Sequence, residues 1–159
     1  MNKFILVDPE KCIGCRSCAL ACAFEHDGEF SLSLSRISPL WMEDMGRFIP
    51  MTCQQCEDAA CIEACPRGAI SADPKTGAKV VDEARCIGCR ACFLVCPFGI
   101  PAIHRDKGCM IKCDLCGGTP QCVEECSREA LSVVESDDAA LRKRREAARK
   151  LASLTEKIS

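Results

Sequence analysis

Sixteen of the seventeen cysteines in this 159-residue sequence fall into four tight quartets, so any fold open to the chain must first find a use for those thiols. CIGCRSCALAC supplies Cys12, Cys15, Cys18 and Cys22, and CQQCEDAACIEAC supplies Cys53, Cys56, Cys61 and Cys65. CIGCRACFLVC supplies Cys86, Cys89, Cys92 and Cys96, and CDLCGGTPQCVEEC supplies Cys113, Cys116, Cys122 and Cys126. Six Phe, one Trp and no Tyr leave the interior short of the aromatic bulk that usually fills a domain of this length. Groups bound to the sulfurs are expected to organise the chain instead.

Disulfides, zinc and iron–sulfur clusters compete for such a cysteine count. A disulfide scaffold needs an exported chain, yet MNKFILVDPEKC has neither a signal-length apolar stretch nor a small-residue cleavage site, and the cysteine count is odd. A reducing cytoplasm is therefore the expected compartment. Structural zinc is built from separated CxxC or CxxH pairs, whereas these quartets are short runs, two of them followed by Pro66 and Pro97. Iron–sulfur chemistry is the reading that uses all four runs. No window reaches the ~18 to 20 apolar residues of a membrane helix, so no direct span is expected. A formal charge of −2 becomes about −10 once four cubanes with their thiolates are counted, which argues against nucleic acid as a partner.

The first and third quartets resemble the bacterial ferredoxin run, three cysteines two residues apart and a fourth three further on. Such a loop wraps one face of a cubane while backbone N–H groups turn toward the sulfurs, and Gly14 and Gly88 ease the approach. Ile13, Ile62, Ile87 and Val123 are expected to shield the sites from water. In two-cluster ferredoxins the fourth cysteine of each run ligates the other cluster. Crossed pairing predicts four sets: Cys12, Cys15 and Cys18 with Cys126; Cys113, Cys116 and Cys122 with Cys22; Cys53, Cys56 and Cys61 with Cys96; and Cys86, Cys89 and Cys92 with Cys65. Between Cys65 and Cys86, a turn around Asp73-Pro74-Lys75-Thr76-Gly77 flanked by apolar residues predicts a β-hairpin. FILV at 4–7 and ALSVV at 130–134 each predict a short strand. The fold class expected is α+β: two bacterial-type 2[4Fe-4S] units, one inserted in the other, with short hairpins and a C-terminal helix. The inner unit would cover about 53–100 and the outer unit 1–52 and 101–136.

The quartets and their order, MIKCDLC before the fourth and SRI at 35–37 resemble the four-cluster [4Fe-4S] ferredoxin-like electron-transfer subunits of molybdenum and tungsten oxidoreductases, formate dehydrogenases, hydrogenases and carbon monoxide dehydrogenases. The likeness spans roughly residues 3–135. It implies a non-catalytic subunit carrying four [4Fe-4S] clusters in a linear array between a catalytic oxidoreductase subunit and a second redox subunit. The alternative is a freestanding polyferredoxin shuttling between enzymes. Chemistry at a cluster is not expected, because every quartet has its fourth cysteine and no glycine-rich nucleotide fingerprint is present. Ala23 and Ser127 stand where the inner quartets have Pro66 and Pro97. The short Cys116–Cys122 spacing predicts that the fourth-quartet cluster is the less covered one, an entry or exit point.

Outside the quartets, Cys109 reads as a small buried hydrophobe, and His26 and His104 as surface or capping residues. Leu32, Leu34 and Ile37 approximate strand alternation, with FIPM at 48–51 a second apolar run and Trp41 a candidate contact residue. From 137 to 159 the chain loses cysteine, glycine and proline and reads as an amphipathic helix, Leu141, Ala148, Leu151 and Ile158 sharing a face. This tail has seven Lys or Arg against four Asp or Glu, whereas residues 1–136 have fourteen against nineteen. A docking arm for a partner or for self-association is the expectation.

Overall fold

The computed structural model describes residues 3–135; the C-terminal helix expected over 137–159 lies outside them. Every connection between quartets is a β-hairpin. β2 (Ser38–Met42) and β3 (Arg47–Met51) join the first quartet to the second, with Trp41 opposite Phe48. β4 (Ile70–Ala72) and β5 (Lys79–Val81) join the second to the third, at the predicted hairpin. Its turn is built by Asp73, whose carboxylate accepts from the Lys75 and Thr76 N–H groups and the Thr76 hydroxyl. β6 (Ala102–Ile103) and β7 (Met110–Ile111) join the third to the fourth. The fourth sheet is long-range: β1 (Lys3–Val7) pairs antiparallel with β8 (Leu131–Glu135), Lys3 opposite Glu135 and Val7 opposite Leu131. These are the two strands the apolar runs predicted.

Four helices share one phase with respect to the cysteines. Cys18, Cys61, Cys92 and Cys122 are each the second residue of α1 (Ser17–Asp27), α2 (Ala60–Glu63), α3 (Ala91–Leu94) and α4 (Gln121–Glu124). The last three run four residues only. Pro66 and Pro97 bar α2 and α3 from continuing, since proline disfavours α geometry in the residue before it and has no N–H to extend the ladder, but α4 is equally short with Ser127 in that place. With Ala23 in the corresponding place, α1 continues to Asp27, where Gly28 closes it in a left-handed conformation (φ 66°), its N–H donating to the Phe24 carbonyl.

One expectation changes here. Leu32–Leu34 is a single 3₁₀ turn, not a strand. The polar groups that follow it are satisfied locally: Ser35 Oγ donates to the Ile37 carbonyl, and the Arg36 N–H points at Cys22 Sγ. Leu34 and Ile37 reach the interior at helical rather than alternating spacing. That interior is a mixed cluster in which Ile5, Ile37, Leu115 and Leu131 pack with Cys18, Cys22, Cys53, Cys113 and Cys122.

Candidate metal centres

The loops that carry the first two cysteines of each quartet share a backbone device. The residue just before the second cysteine has a positive φ in all four: Gly14 (71°), Gln55 (47°), Gly88 (64°) and Leu115 (61°). Arg16 (65°) and Arg90 (64°) repeat it just before the helices of the two ferredoxin-like runs. Such reversals turn successive N–H groups toward one concavity, the nest geometry that suits an anion. Glycine does this without steric cost; Gln55 and Leu115 do it against a penalty of about 1–2 kcal/mol each. Both are almost fully buried, which holds them there. Gln55 is further fixed by its amide, which donates to the Cys113 carbonyl at 2.9 Å and accepts from the Lys79 N–H at 2.8 Å. Sequence reasoning registered the two glycines and missed Gln55 and Leu115, whose residue types carry no turn signal.

The thiols gather in fours. Cys12, Cys15, Cys18 and Cys126 line one cavity. Cys53, Cys56, Cys61 and Cys96 line a second, and Cys65, Cys86, Cys89 and Cys92 a third. Burial raises the pKa of Cys122, and Cys113, Cys22, Cys116 and Cys18 add to the rise, so these four thiols are its electrostatic neighbours. Each of the three cavities therefore brings three cysteines of one quartet beside the last cysteine of another. Cys109 stands apart, buried beside β7.

Protein N–H groups point at the sulfurs. Ala69 and Ala130, each four residues past a quartet's last cysteine, donate to Cys65 at 3.2 Å and Cys126 at 3.3 Å. Met110 donates to Cys86 and Arg36 to Cys22, both at 3.3 Å. Cys22 lies inside α1, so its donor comes from a residue fourteen positions on. Burial pushes the thiols of Cys18, Cys92 and Cys113 up to about 11 and Cys116 to about 12. At Cys22 burial acts in the same sense, but the His26 ring and the Arg36 N–H overcome it and lower the pKa. At Cys15 hydrogen bonds from Ser17 lower it. Thiols raised this far release protons when they bind metal, so binding is proton-coupled.

The fourth-quartet site is not the less covered one. Cys22, Cys113 and Cys122 are buried and Cys116 is half-buried, whereas Cys15, Cys56 and Cys89 in the other sets are exposed. The packing of α1 against α4 covers this site whatever the length of the Cys116–Cys122 loop. Nor are the histidines surface residues. His26 Nδ1 donates to the Cys22 carbonyl at 2.8 Å and Nε2 to Asp114 Oδ1 at 2.9 Å. Burial lowers its pKa, but the Asp114 carboxylate and hydrogen bonds to Cys22 together outweigh that and raise it to about 10. His104, buried, donates from Nε2 to Asp27 at 3.0 Å while Nδ1 accepts the Asp106 and Lys107 N–H groups, so it caps the β6–β7 turn from inside. Ile13 and Ile87 do not seal their sites: they stay 59% and 63% exposed. Val123, packed on the core, and Ile62, packed beside Cys92, lie under cover.

The donor set tests which metal fits. Four sulfurs around one zinc at about 2.3 Å would lie about 3.8 Å apart. Among the described residues, only His26, Asp114 and Cys116 bring three ligand atoms within 4.8 Å of one another, so no three thiols are that close. Thiols shared between quartets but spread wider than a single ion allows suit a polynuclear group with four iron corners, not zinc. The family described as 4Fe-4S dicluster domain matches residues 45–136, and the family described as 4Fe-4S binding domain matches 3–24. The chain belongs to the [4Fe-4S] ferredoxin-like electron-transfer subunits. This [4Fe-4S] protein is 47% identical over 134 residues to the aliphatic sulfonate oxidoreductase polyferredoxin-like subunit of Pyrococcus furiosus, covering 82% of this chain and 77% of that one. It is 41% identical over 147 residues to the putative electron transport protein YsaA of Escherichia coli, covering 85% and 91% respectively. It is 38% identical over 150 residues to the B subunit of the anaerobic dimethyl sulfoxide reductase of Escherichia coli, covering 83% and 73%. Among its described residues no helix is long and apolar enough to cross a membrane.

Proposed function

We propose that the chain carries four [4Fe-4S] clusters, each held by three cysteines of one quartet and the last of another, and serves as the non-catalytic relay subunit of an oxidoreductase complex. When bound, each cluster supplies a site that takes up and releases one electron. The residues do the rest: they hold the sites in series, exclude water from the middle and supply N–H groups to the sulfurs.

The observation that carries this reading is the three-plus-one grouping, repeated in an order. Cys18 raises the pKa of Cys122, Cys53 that of Cys113, and Cys61 that of Cys92, so each set adjoins the next. The order runs from the Cys12 set through the Cys113 and Cys53 sets to the Cys86 set. The terminal sets carry the exposed Ile13 and Ile87, which leaves both ends accessible. A catalytic subunit docks at one end and a second redox subunit at the other; the relatives' names as oxidoreductase subunits support this. The β1–β8 ladder and the shared cysteines support an outer ferredoxin unit (1–52 and 101–136) around an inner one (53–100).

Cys126→Ser tests the crossing. Iron in anaerobically purified wild type is expected near about sixteen per chain, four per cluster. The variant should lose or alter the cluster held by Cys12, Cys15 and Cys18. Resonance changes confined to the Cys113 cluster would refute the crossed sets, and zinc in place of iron would refute the relay.

A further inference from the structure

Lys112 lies between β7 and Cys113 and is buried, with 4% of its surface exposed. Its ammonium donates to the Lys79 carbonyl, and its side chain lines the cavity of Cys53, Cys56, Cys61 and Cys96. Among the described residues no carboxylate forms an ion pair with it. Asp58, the one acidic residue lining that cavity, is exposed. A carbonyl dipole alone is a poor counterpart for a buried cation, which is normally paired or neutralised.

The cations at neighbouring sites are placed differently. Arg16 and Arg128 at the Cys12 cavity and Arg67 at the Cys65 cavity are exposed, so water screens them. Near the Cys113 set the charges are already paired, the half-buried His26 with Asp114 and the Arg36 side chain with that of Asp27. Lys112 thus differs from each of them, a desolvated cation at a thiol cavity with no carboxylate paired to it among the described residues. Its field reaches the sulfurs: burial raises the Cys61 thiol, and Lys112 is the largest influence opposing that rise.

We infer that Lys112 is the built-in counter-charge of the cluster held by Cys53, Cys56, Cys61 and Cys96, and that its charge raises that cluster's reduction potential. The inference rests on the ligand sets proposed above. An oxidised cubane with four thiolates carries about −2, and gaining one electron takes it to about −3. A fixed cation in a poorly screened cavity stabilises the more negative state, so reduction becomes easier. Lys112 is a positioning residue for charge, not a ligand. Its place one residue before Cys113 sets it at the junction of the two middle sites, where it makes one of them the lower-energy stop for an electron.

The test compares Lys112→Gln, which keeps a hydrogen-bond donor and loses the charge, with Lys112→Arg, which keeps the charge. Iron content and electron-paramagnetic-resonance redox titration of the anaerobically purified full chain provide the readouts. In K112Q, one of the reduction waves should move to lower potential by at least a tenfold change in its equilibrium, about 59 mV for one electron. In K112R that wave should stay near its wild-type position, and iron should match wild type in both. Loss of one cluster in K112Q but not in K112R also supports the counter-charge. Unchanged waves in K112Q, equal shifts in both variants, or equal loss of iron from both would overturn it. Wild-type iron far below about sixteen per chain would instead count against the ligand sets themselves.

Discussion

Asp27 offers the sharpest test of what holds the cluster scaffold together apart from iron. Its carboxylate ends α1 and gathers three donors from distant segments: the Arg36 guanidinium at 3.1 Å, the His104 ring N–H at 3.0 Å and the Lys107 ammonium at 3.4 Å. The side chains of Asp27, Arg36 and His104 are 7%, 6% and 4% exposed. Burial alone would raise the Asp27 pKa, but hydrogen bonds from His104 and Arg36 bring it down from 3.8 to about 2. That difference corresponds to about 2.5 kcal/mol in favour of the ionised carboxylate. Asp27→Asn should therefore cost about 2.5 kcal/mol at neutral pH, rising toward about 3–5 kcal/mol as Arg36 is left buried without its anion. A solvent-exposed pair would cost about 0–1 kcal/mol, so the measurement separates the two cases. Anaerobic denaturant titrations of wild type, D27N, R36M and the double variant, followed by far-UV circular dichroism and visible cluster absorbance, give the cycle. The double variant should lose less than the two single losses combined, because neither partner is then stranded. A D27N loss below about 0.5 kcal/mol would refute the reasoning, since it would equate this network with a surface pair. The pH sign follows from the depressed pKa. The contribution is complete above the unfolded value of 3.8 and disappears as pH falls through about 2, so D27N should flatten the acid limb of stability.

Gly88→Ala should be more damaging than Gly14→Ala. Both positions are left-handed, which costs a Cβ about 1–2 kcal/mol, but at Gly88 the new atom overlaps the Gly108 backbone carbonyl whereas at Gly14 it meets the half-buried Phe48 ring, which can turn aside. Retained iron and thermal midpoint report the difference, and equal losses would contradict it. Removing residues 137–159, read from sequence as a docking arm, should reduce the size of the native complex or self-associated species in sedimentation while leaving iron content unchanged; an unchanged assembly size eliminates the arm.

The cysteine spacing made the iron–sulfur family legible, and it led to the crossed sets proposed above, in which Cys22, Cys65, Cys96 and Cys126 each join another quartet. The strands β1 and β8 were also legible, as two apolar runs outside the outermost quartets; that they pair with each other is what the structure adds. What stayed hidden depends on partners remote in sequence. His26 reads as a surface or capping residue until Asp114, 88 positions away, is set against it. Nothing in the residues around Lys112 signals that β7 carries it to the wall of the Cys53 cavity. Gln55 and Leu115 repeat a glycine's conformation without a glycine, because burial and, at Gln55, cross-loop hydrogen bonds offset the strain. Leu32–Leu34 misled because alternating leucines satisfy a strand pattern while the neighbouring polar groups choose a turn.

The ladder between β1 and β8 also imposes a schedule on biosynthesis. In the ligand sets proposed above, residues 53–100 contain both halves of their own sulfur sets and could be metallated as soon as they leave the ribosome. Cys12, Cys15 and Cys18 emerge first yet wait for Cys126, and Cys22 waits for Cys113, so the earliest thiols to be translated are among the last to be satisfied. On those proposed sets, iron delivery to the nascent chain would proceed from the middle outward, with the terminal site closing when the last strand zips onto the first.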